Sequence, residues 1–296
     1  MEQLLRNLNG FLEAELVIKG YRTHYKPSLT DQPARVLNNK IKKLLLTAYT
    51  KAHHHFLDLP CGSGNDIAKI AHVGIDRYVG IDLDYNDFLL GVARNRESTH
   101  RMPCQFFKSD MCADEMLSKL YIDLHAFDVV SCQFALHYAF ESEKTANAFV
   151  KNVADALRDG GTFIATYPCG DRLLDAWKKL ERPCVLRSEH FKITFPDTAP
   201  VRTIKFGQKY HFQLGEFVND YEFLVSDAQL ESICKRNGLH LVEKVDFSEL
   251  CTAHDPKDAQ DGPLLAGVRF DYRVLNEGNR ALVDLYKYCV FLKTPV

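Results

Sequence analysis

Between residues 35 and 167 the spacing of apolar positions switches repeatedly between two periods. From Arg35, residues Val36, Leu37, Ile41, Leu44 and Leu45 fall on one broad stripe at helical spacing, which predicts a helix. FLDL (56–59) reads as a short buried strand, and DIAKIAHV (66–73) as a helix after a glycine-containing turn. YVGID (78–82) is the second predicted strand, and LLGVARNR (89–96) continues a helix behind it. CQFF (104–107) and FDVVSCQF (127–134) supply strands three and four, joined through a helical stretch at 113–121. TANAFVKNVADALRDGG (145–161) is an amphipathic helix with Gly160-Gly161 as its stop signal, and GTFIATY (161–167) is strand five. Regular alternation of strand and helix predicts a doubly wound, mostly parallel sheet.

Past Pro168 the pattern loosens. Residues 180–220 carry several aromatics with little periodicity and read as an insertion or small subdomain. SDAQLESICKRNG (226–238) is a helix with Ser226 as N-cap and Gly238 at its end. LHLVEKV (239–245) and YKYCVFLK (286–293) complete a sheet of seven strands. The expected organisation is a peripheral N-terminal segment, 1–32, followed by one domain over 33–296 that contains the insertion.

Composition narrows the function classes. With 37 Lys+Arg against 39 Asp+Glu the formal charge is −2, which argues against a wide nucleic-acid footprint but not against a partner held by one end. No apolar run is long enough for a membrane span, and the N-terminus lacks the features of a signal peptide. The 9 cysteines are scattered without a CxxC pair, so neither a disulfide framework nor a structural zinc site is expected, and the protein is expected to work reduced. His53-His54-His55 has no acid or thiol at metal-ligand spacing before it and reads as a solvated run.

Candidate chemistry begins at Asp58-Leu-Pro-Cys-Gly62-Ser-Gly64-Asn, which follows a strand and opens a helix. Gly62 and Gly64 let the backbone approach a ligand, and the helix N-terminus offers free N–H groups. Asp82 ends strand two, 20 residues after Gly62, where an acid accepts hydrogen bonds from ribose hydroxyls. A dinucleotide fingerprint would need glycine at 67, which is Ile67, so the loop favours S-adenosylmethionine over NAD. Asp110, after strand three, is placed either to accept from an adenine amino group or to cap the following helix. This is the arrangement of class I, Rossmann-like methyltransferases.

The stretch SCQFALHYAF (131–140) places Gln133, Phe134, His137 and Tyr138 at the mouth of the sheet. It resembles the QF-x-x-HYAF signature of mRNA cap guanine-N7 methyltransferases. Arg35-Val-Leu-Asn38-Asn39-Lys-Ile-Lys42 is similar to that family's RN-x-NN-x-IK helix, Glu222-Phe-Leu-Val to its EYLV segment, and Tyr286 falls at its C-terminal IY position. The resemblance covers roughly residues 33–293, with the motifs in the family's order. It implies an enzyme that transfers methyl from S-adenosylmethionine to N7 of a 5′ GpppN cap guanine by in-line attack, without a general base, leaving S-adenosylhomocysteine. Lys42, Asp58, Gly62, Gly64, Asp82, Asp110 and Gln133 would hold the cofactor. Asn38, Phe134, His137, Tyr138, Pro168, Glu222, Tyr286 and Arg94 would hold the cap, with Glu222, His137 and Tyr138 as positioning groups rather than acid–base catalysts. No metal is expected.

The implied partners are 5′-capped RNA and a capping enzyme or activating subunit, with no membrane and no DNA. The implied place is the nucleus, or the cytoplasm for a cytoplasmic or viral capping enzyme. Three positions depart from the family: Pro60 for Gly, Ser63 for a phosphate-binding Lys, and Cys112 for an aromatic, with Lys178, Lys179 and Arg182 as alternative cations by charge alone. Two other readings stay open, a class I methyltransferase acting on a non-cap substrate and a non-catalytic subunit of the same fold.

Overall fold

The structure, a computed structural model, describes residues 33–84, 86, 87, 89–92, 102–215, 218–252 and 275–295. The predicted N-terminal segment 1–32 and Arg94 lie outside the described residues. Strands β1 (His55–Asp58), β2 (Arg77–Asp82), β3 (Cys104–Lys108), β4 (Phe127–Gln133) and β5 (Leu157–Pro168) come first. Next are β6 (Val185–Arg187), β7 (Phe191–Thr194), β8 (Lys209–Leu214) and β9 (Val218–Phe223), and last β10 (Leu239–Asp246) and β11 (Tyr286–Lys293). Helices are α1 (Pro33–Tyr49), α2 (Ile67–Ile70), α3 (Met116–Lys119), α4 (Glu143–Ala156), α5 (Gly170–Lys179), α6 (Asp227–Arg236), α7 (Phe247–Thr252) and α8 (Glu277–Val283).

The large sheet has the order β10-β11-β5-β4-β1-β2-β3. β11 runs antiparallel to both neighbours and the other pairs are parallel, so the seven-stranded, mostly parallel sheet expected from the sequence is present. Because successive side chains point to opposite faces, neighbours along a strand enter different cores. Phe56, Val129 and Ile164 pack on one side with Leu37, Ile41 and Leu45 of α1. Leu57, Val130 and Phe163 pack on the other with Phe149, Val150 and Val153 of α4 and Leu230 and Ile233 of α6.

A second sheet, order β6-β7-β8-β9, is antiparallel throughout. Its inner residues Phe191, Ile193, Tyr210 and Phe212 join the α1-side core. Residues 180–220, read from the sequence as having little periodicity, thus contain alternating strands. β8 buries Tyr210 and Phe212 and leaves Lys209 exposed.

Local structure departs from the sequence reading at four further places. The amphipathic helix α4 stops at Ala156, because Leu157 is already extended at φ −75°, ψ 132°, and Gly160-Gly161 instead form an irregular turn inside β5. Pairing across β4 and β5 shifts there, from Phe127↔Leu157 to Val129↔Thr162. The stretch 113–121 holds only the one-turn α3, and 66–73 splits into α2 and a 3-10 turn. His54 and His55 are half-buried rather than solvated, since Asp128 accepts the His55 backbone N–H at 2.7 Å. At the start of α6 Ser226 accepts from the Gln229 N–H, and past its end Gly238 has φ +72°, as the cap signals required. No helix among the described residues is long and apolar enough to cross a membrane.

Candidate active site

The C-terminal ends of β1, β2 and β4 meet the glycine loop, α1 and the small sheet, and most of the predicted site residues gather there. The loop is held from both sides: Cys61 donates its backbone N–H to Ile81 at 3.0 Å, and Leu59 to Ser131 at 2.8 Å. Both loop glycines have positive φ, +50° at Gly62 and +69° at Gly64, where a Cβ is strained. They differ in surroundings. A Cβ on Gly64 would stand 2.9 Å from the Gly91 Cα, whereas one on Gly62 would meet nothing within 4 Å. Gly64 is therefore required by packing, and Gly62 faces open space. Asp82, buried at the end of β2, accepts the Gly62 N–H at 2.7 Å and the Asp84 N–H at 2.9 Å. Burial raises its pKa, partly offset by those two bonds.

Behind the loop lies a buried charge cluster. Asp58 accepts the Tyr78 hydroxyl at 2.8 Å while its second oxygen is buried without a hydrogen-bond partner. Burial, reinforced by Asp66, pushes the Asp58 carboxyl well up. Lys42 reaches Asp66 at 2.9 Å and Lys69 reaches the same oxygen at 2.8 Å. Burial works to raise the Asp66 pKa, but these two ammonium groups hold it below the usual carboxylate range. The Lys42 ammonium also lies 5.5 Å from the centroid of the Phe134 ring, so α1 is tied to the end of β4. Asn38, one turn earlier on the same helix face, has its side-chain oxygen buried and unpartnered.

Phe134 turns the chain sharply with φ +58°, an uncommon conformation for a residue with a side chain. Its N–H is held by the Thr166 carbonyl and hydroxyl, each at 2.9 Å, and its ring stands edge-on to Tyr286 with centroids 4.9 Å apart. Pro168 and Tyr286 are direct partners across β5 and β11. Gln133 is buried and bonded to Ser131 and Thr166, which fixes its amide.

The 3-10 turn Leu136–Glu141 then carries His137 against β9. The His137 Nε2 lies 3.4 Å from Glu222 Oε1, outside hydrogen-bond geometry, and both ring nitrogens are buried and unpartnered. Burial pushes the His137 pKa down to about 3, so its ring is neutral. Glu222 accepts the Tyr210 hydroxyl at 2.6 Å. Burial pushes the Glu222 carboxyl up to about 7, the Tyr210 bond opposing and Asp220 adding to the rise. Tyr138 stands beside His137, ring centroids 4.3 Å apart, and reaches solvent.

Buried polar atoms without partners cost about 1–3 kcal/mol each, so a cluster of them calls for an explanation. Asn38 Oδ1, Asp58 Oδ1 and both His137 nitrogens supply such a cluster at the strand ends, together with the space beside Gly62. These atoms suit a polar ligand that offers donors to the Asn38 and Asp58 oxygens and to one imidazole nitrogen, and an acceptor to the other, which carries the proton of the neutral ring. Among the described residues no group of three or more His, Cys, Asp or Glu is placed to hold a metal.

Three predicted residues are engaged elsewhere, Asp110, Lys178 and Arg182. Asp110 is exposed, and its carboxylate accepts the Cys112 N–H at 2.8 Å, capping a turn before α3. Of the alternative cations, Lys178 faces Asp175 at 3.6 Å and Arg182 faces Asp197 at 3.2 Å. The structure also adds residues that the sequence reading omitted: Asp66, Tyr78, Thr166, Tyr210 and Phe247, the last packed on Phe134 and Tyr286. Strand alternation was a usable signal for Tyr210, whereas Phe247 offered none.

A family model described as mRNA (guanine-N(7))-methyltransferase domain matches residues 32–282. The mRNA cap guanine-N(7) methyltransferase of Candida albicans is 29% identical over 292 residues, covering 85% of this chain and 61% of the relative. That of Schizosaccharomyces pombe is 30% identical over 254 residues, covering 83% of this chain and 69% of the relative. The chain thus spans about three-fifths to two-thirds of the length of these two proteins. Among solved structures, a methyltransferase from Streptomyces caelestis superposes with a TM-score of 0.57 at 13% identity, covering 93% of this chain and 96% of that one, which establishes the fold. With its motifs in one cluster on that fold, the chain belongs to the mRNA (guanine-N(7))-methyltransferase family.

Proposed function

We propose that the protein is an S-adenosylmethionine-dependent methyltransferase acting on N7 of the 5′ GpppN cap guanine of RNA, within a domain formed by residues 33–296, in the nucleus. The observation that carries the reading is the meeting of His137 and Glu222, 85 positions apart in the chain, as an unbonded buried pair beside the strand ends. Glu222, as a carboxylate with two acceptor oxygens, takes the guanine N1–H and amino group. Phe134, Tyr138 and Tyr286 provide the aromatic walls, and Asn38 and Pro168 bound the same site.

On the cofactor side, Asp82 accepts from the ribose hydroxyls, and the unpartnered Asp58 oxygen and Lys42 serve the ammonium and carboxylate of the amino-acid end. Gly62 leaves the room, Gln133 lines the floor, and Asp110 closes the adenine end. When bound, S-adenosylmethionine supplies an electrophilic methyl group on a sulfonium. Guanine N7 has a lone pair and no proton at neutral pH, so no side chain need accept one. What the residues contribute is alignment, together with a carboxylate and aromatic faces that balance the positive charge arising on the base.

The test is methyl transfer from labelled S-adenosylmethionine to GpppG-capped RNA, with uncapped RNA as control. Label recovered as 7-methylguanosine supports the reading. Cofactor binding with transfer only to a non-cap acceptor overturns it.

A further inference from the structure

The side of the small sheet facing away from the core carries a one-signed charge pattern. By strand alternation and register this face presents Val185 and Arg187 of β6, Lys192 and Thr194 of β7, Lys209, His211 and Gln213 of β8, and Asn219, Tyr221 and the half-buried Phe223 of β9. It holds three permanent cations and no carboxylate among the described strand residues.

Arg187 and Lys192 are direct cross-strand partners, an arrangement that like charges disfavour. Neither they nor Lys209 has a carboxylate within 4 Å among the described residues, in contrast to Lys178 and Arg182 nearby. Lys209 instead lies 4.8 Å from the ring centroid of Tyr221, which is 54% exposed and stands 5.1 Å from the His211 ring. An exposed aromatic among unpaired cations is the arrangement that stacks a base and neutralises a phosphate chain.

The face also adjoins the cap site. Tyr221 precedes Glu222 on β9, so the two side chains leave the strand on opposite sides. Among the described residues β9 is the edge strand of its sheet, with no further strand separating the two faces. We infer that this outer face is a docking platform for the single-stranded RNA that follows the cap, with Arg187, Lys192 and Lys209 neutralising phosphates and Tyr221 stacking a base. An RNA whose cap guanine sits at Glu222 passes the β9 edge to reach it. The inference rests on the proposed function for the position of the RNA's 5′ end, not for the binding of its chain.

The experiment compares GpppA dinucleotide with a GpppA-capped single-stranded RNA of about ten nucleotides, and with the same RNA uncapped, on the full chain. Steady-state methylation and fluorescence anisotropy are read for the wild type, Lys192→Ala/Lys209→Ala and Tyr221→Ala. Each variant should raise KM for capped RNA about tenfold and weaken uncapped RNA comparably, leaving KM for the dinucleotide unchanged. Three phosphate contacts on a single strand predict a slope of log K against log salt near about −2, reduced by about 0.7 for each cation removed. Equal KM increases on dinucleotide and RNA would mean a structural role and overturn the platform. So would unchanged RNA binding, or displacement by poly-glutamate at the same charge concentration as RNA, which would point to an acidic protein partner. Failure of the proposed function would appear separately, as no methylation of either capped substrate while uncapped RNA still responds to the substitutions.

Discussion

Replacing Glu222 by Gln should move activity and stability in opposite directions. The carboxylate is 4% exposed, and burial raises its pKa from 4.5 to about 7. A native pKa above the unfolded one means the folded state holds the proton more tightly. The wild type therefore has its full stability below about pH 4.5 and loses some as pH rises through 7. That displacement corresponds to roughly 3 kcal/mol at pH 8. Gln cannot ionise, yet its side-chain oxygen still accepts from Tyr210. Glu222→Gln should accordingly melt higher at pH 8, by about 5 °C, with the difference vanishing near pH 4.5.

Cap recognition should suffer instead. Two hydrogen bonds to a charged acceptor are worth about 1.5–3 kcal/mol each, and an amide whose oxygen faces Tyr210 turns its NH2 toward the donors of guanine. Loss of roughly 3–4 kcal/mol predicts kcat/KM on GpppG lowered about 10²–10³-fold. Affinity for S-adenosylmethionine, read by calorimetry, should change less than about twofold, since the proposed function assigns Glu222 to the cap and not to the cofactor. The wild-type kcat/KM should rise about tenfold per pH unit up to about 7 and then level off, and this limb should be absent in the variant. A lower melting point at pH 8, or activity within about threefold of wild type, would refute the assignment of Glu222 as a buried guanine acceptor.

Three further outcomes follow from the same geometry. Tyr210→Phe removes the hydrogen bond that opposes the rise of the Glu222 pKa, so the activity limb should move to higher pH while the plateau changes little; a pH–rate profile decides it. Gly64→Ala meets the Gly91 backbone and should destabilise by about 2 kcal/mol or more, whereas Gly62→Ala should cost about 1 kcal/mol of backbone strain but lose most cofactor affinity. Chemical denaturation paired with calorimetry separates the two, and equal behaviour would remove the distinction between packing and ligand space. Asp82→Ala should abolish cofactor binding at concentrations that saturate the wild type, with far-UV circular dichroism unchanged.

The sequence by itself determined the architecture of the large sheet, because a strand buried on both faces and a helix buried on one leave incompatible periodicities in the chain. It also placed the glycine loop and the acid beside it, since the Gly62-Ser-Gly64 turn and Asp82 are local features whose spacing survives any packing. The motifs of α1, the β4 end and β9 were legible as a resemblance, although nothing in their spacing required them to meet. Where helix α4 ends was less legible: Gly160-Gly161 is a valid stop signal, but the pairing of β5 with β4 took the chain at Leu157 first.

Only the tertiary structure decided the rest. It showed that 180–220 is a sheet whose inner face completes the core and whose β9 carries Glu222 to His137. It set the protonation of that pair, because desolvation depends on what surrounds a group and not on its neighbours in sequence. It also gathered Arg187, Lys192, Lys209 and Tyr221 from four strands onto one face. Charges dispersed over 23 positions in a chain of net charge −2 become a patch only when register aligns them.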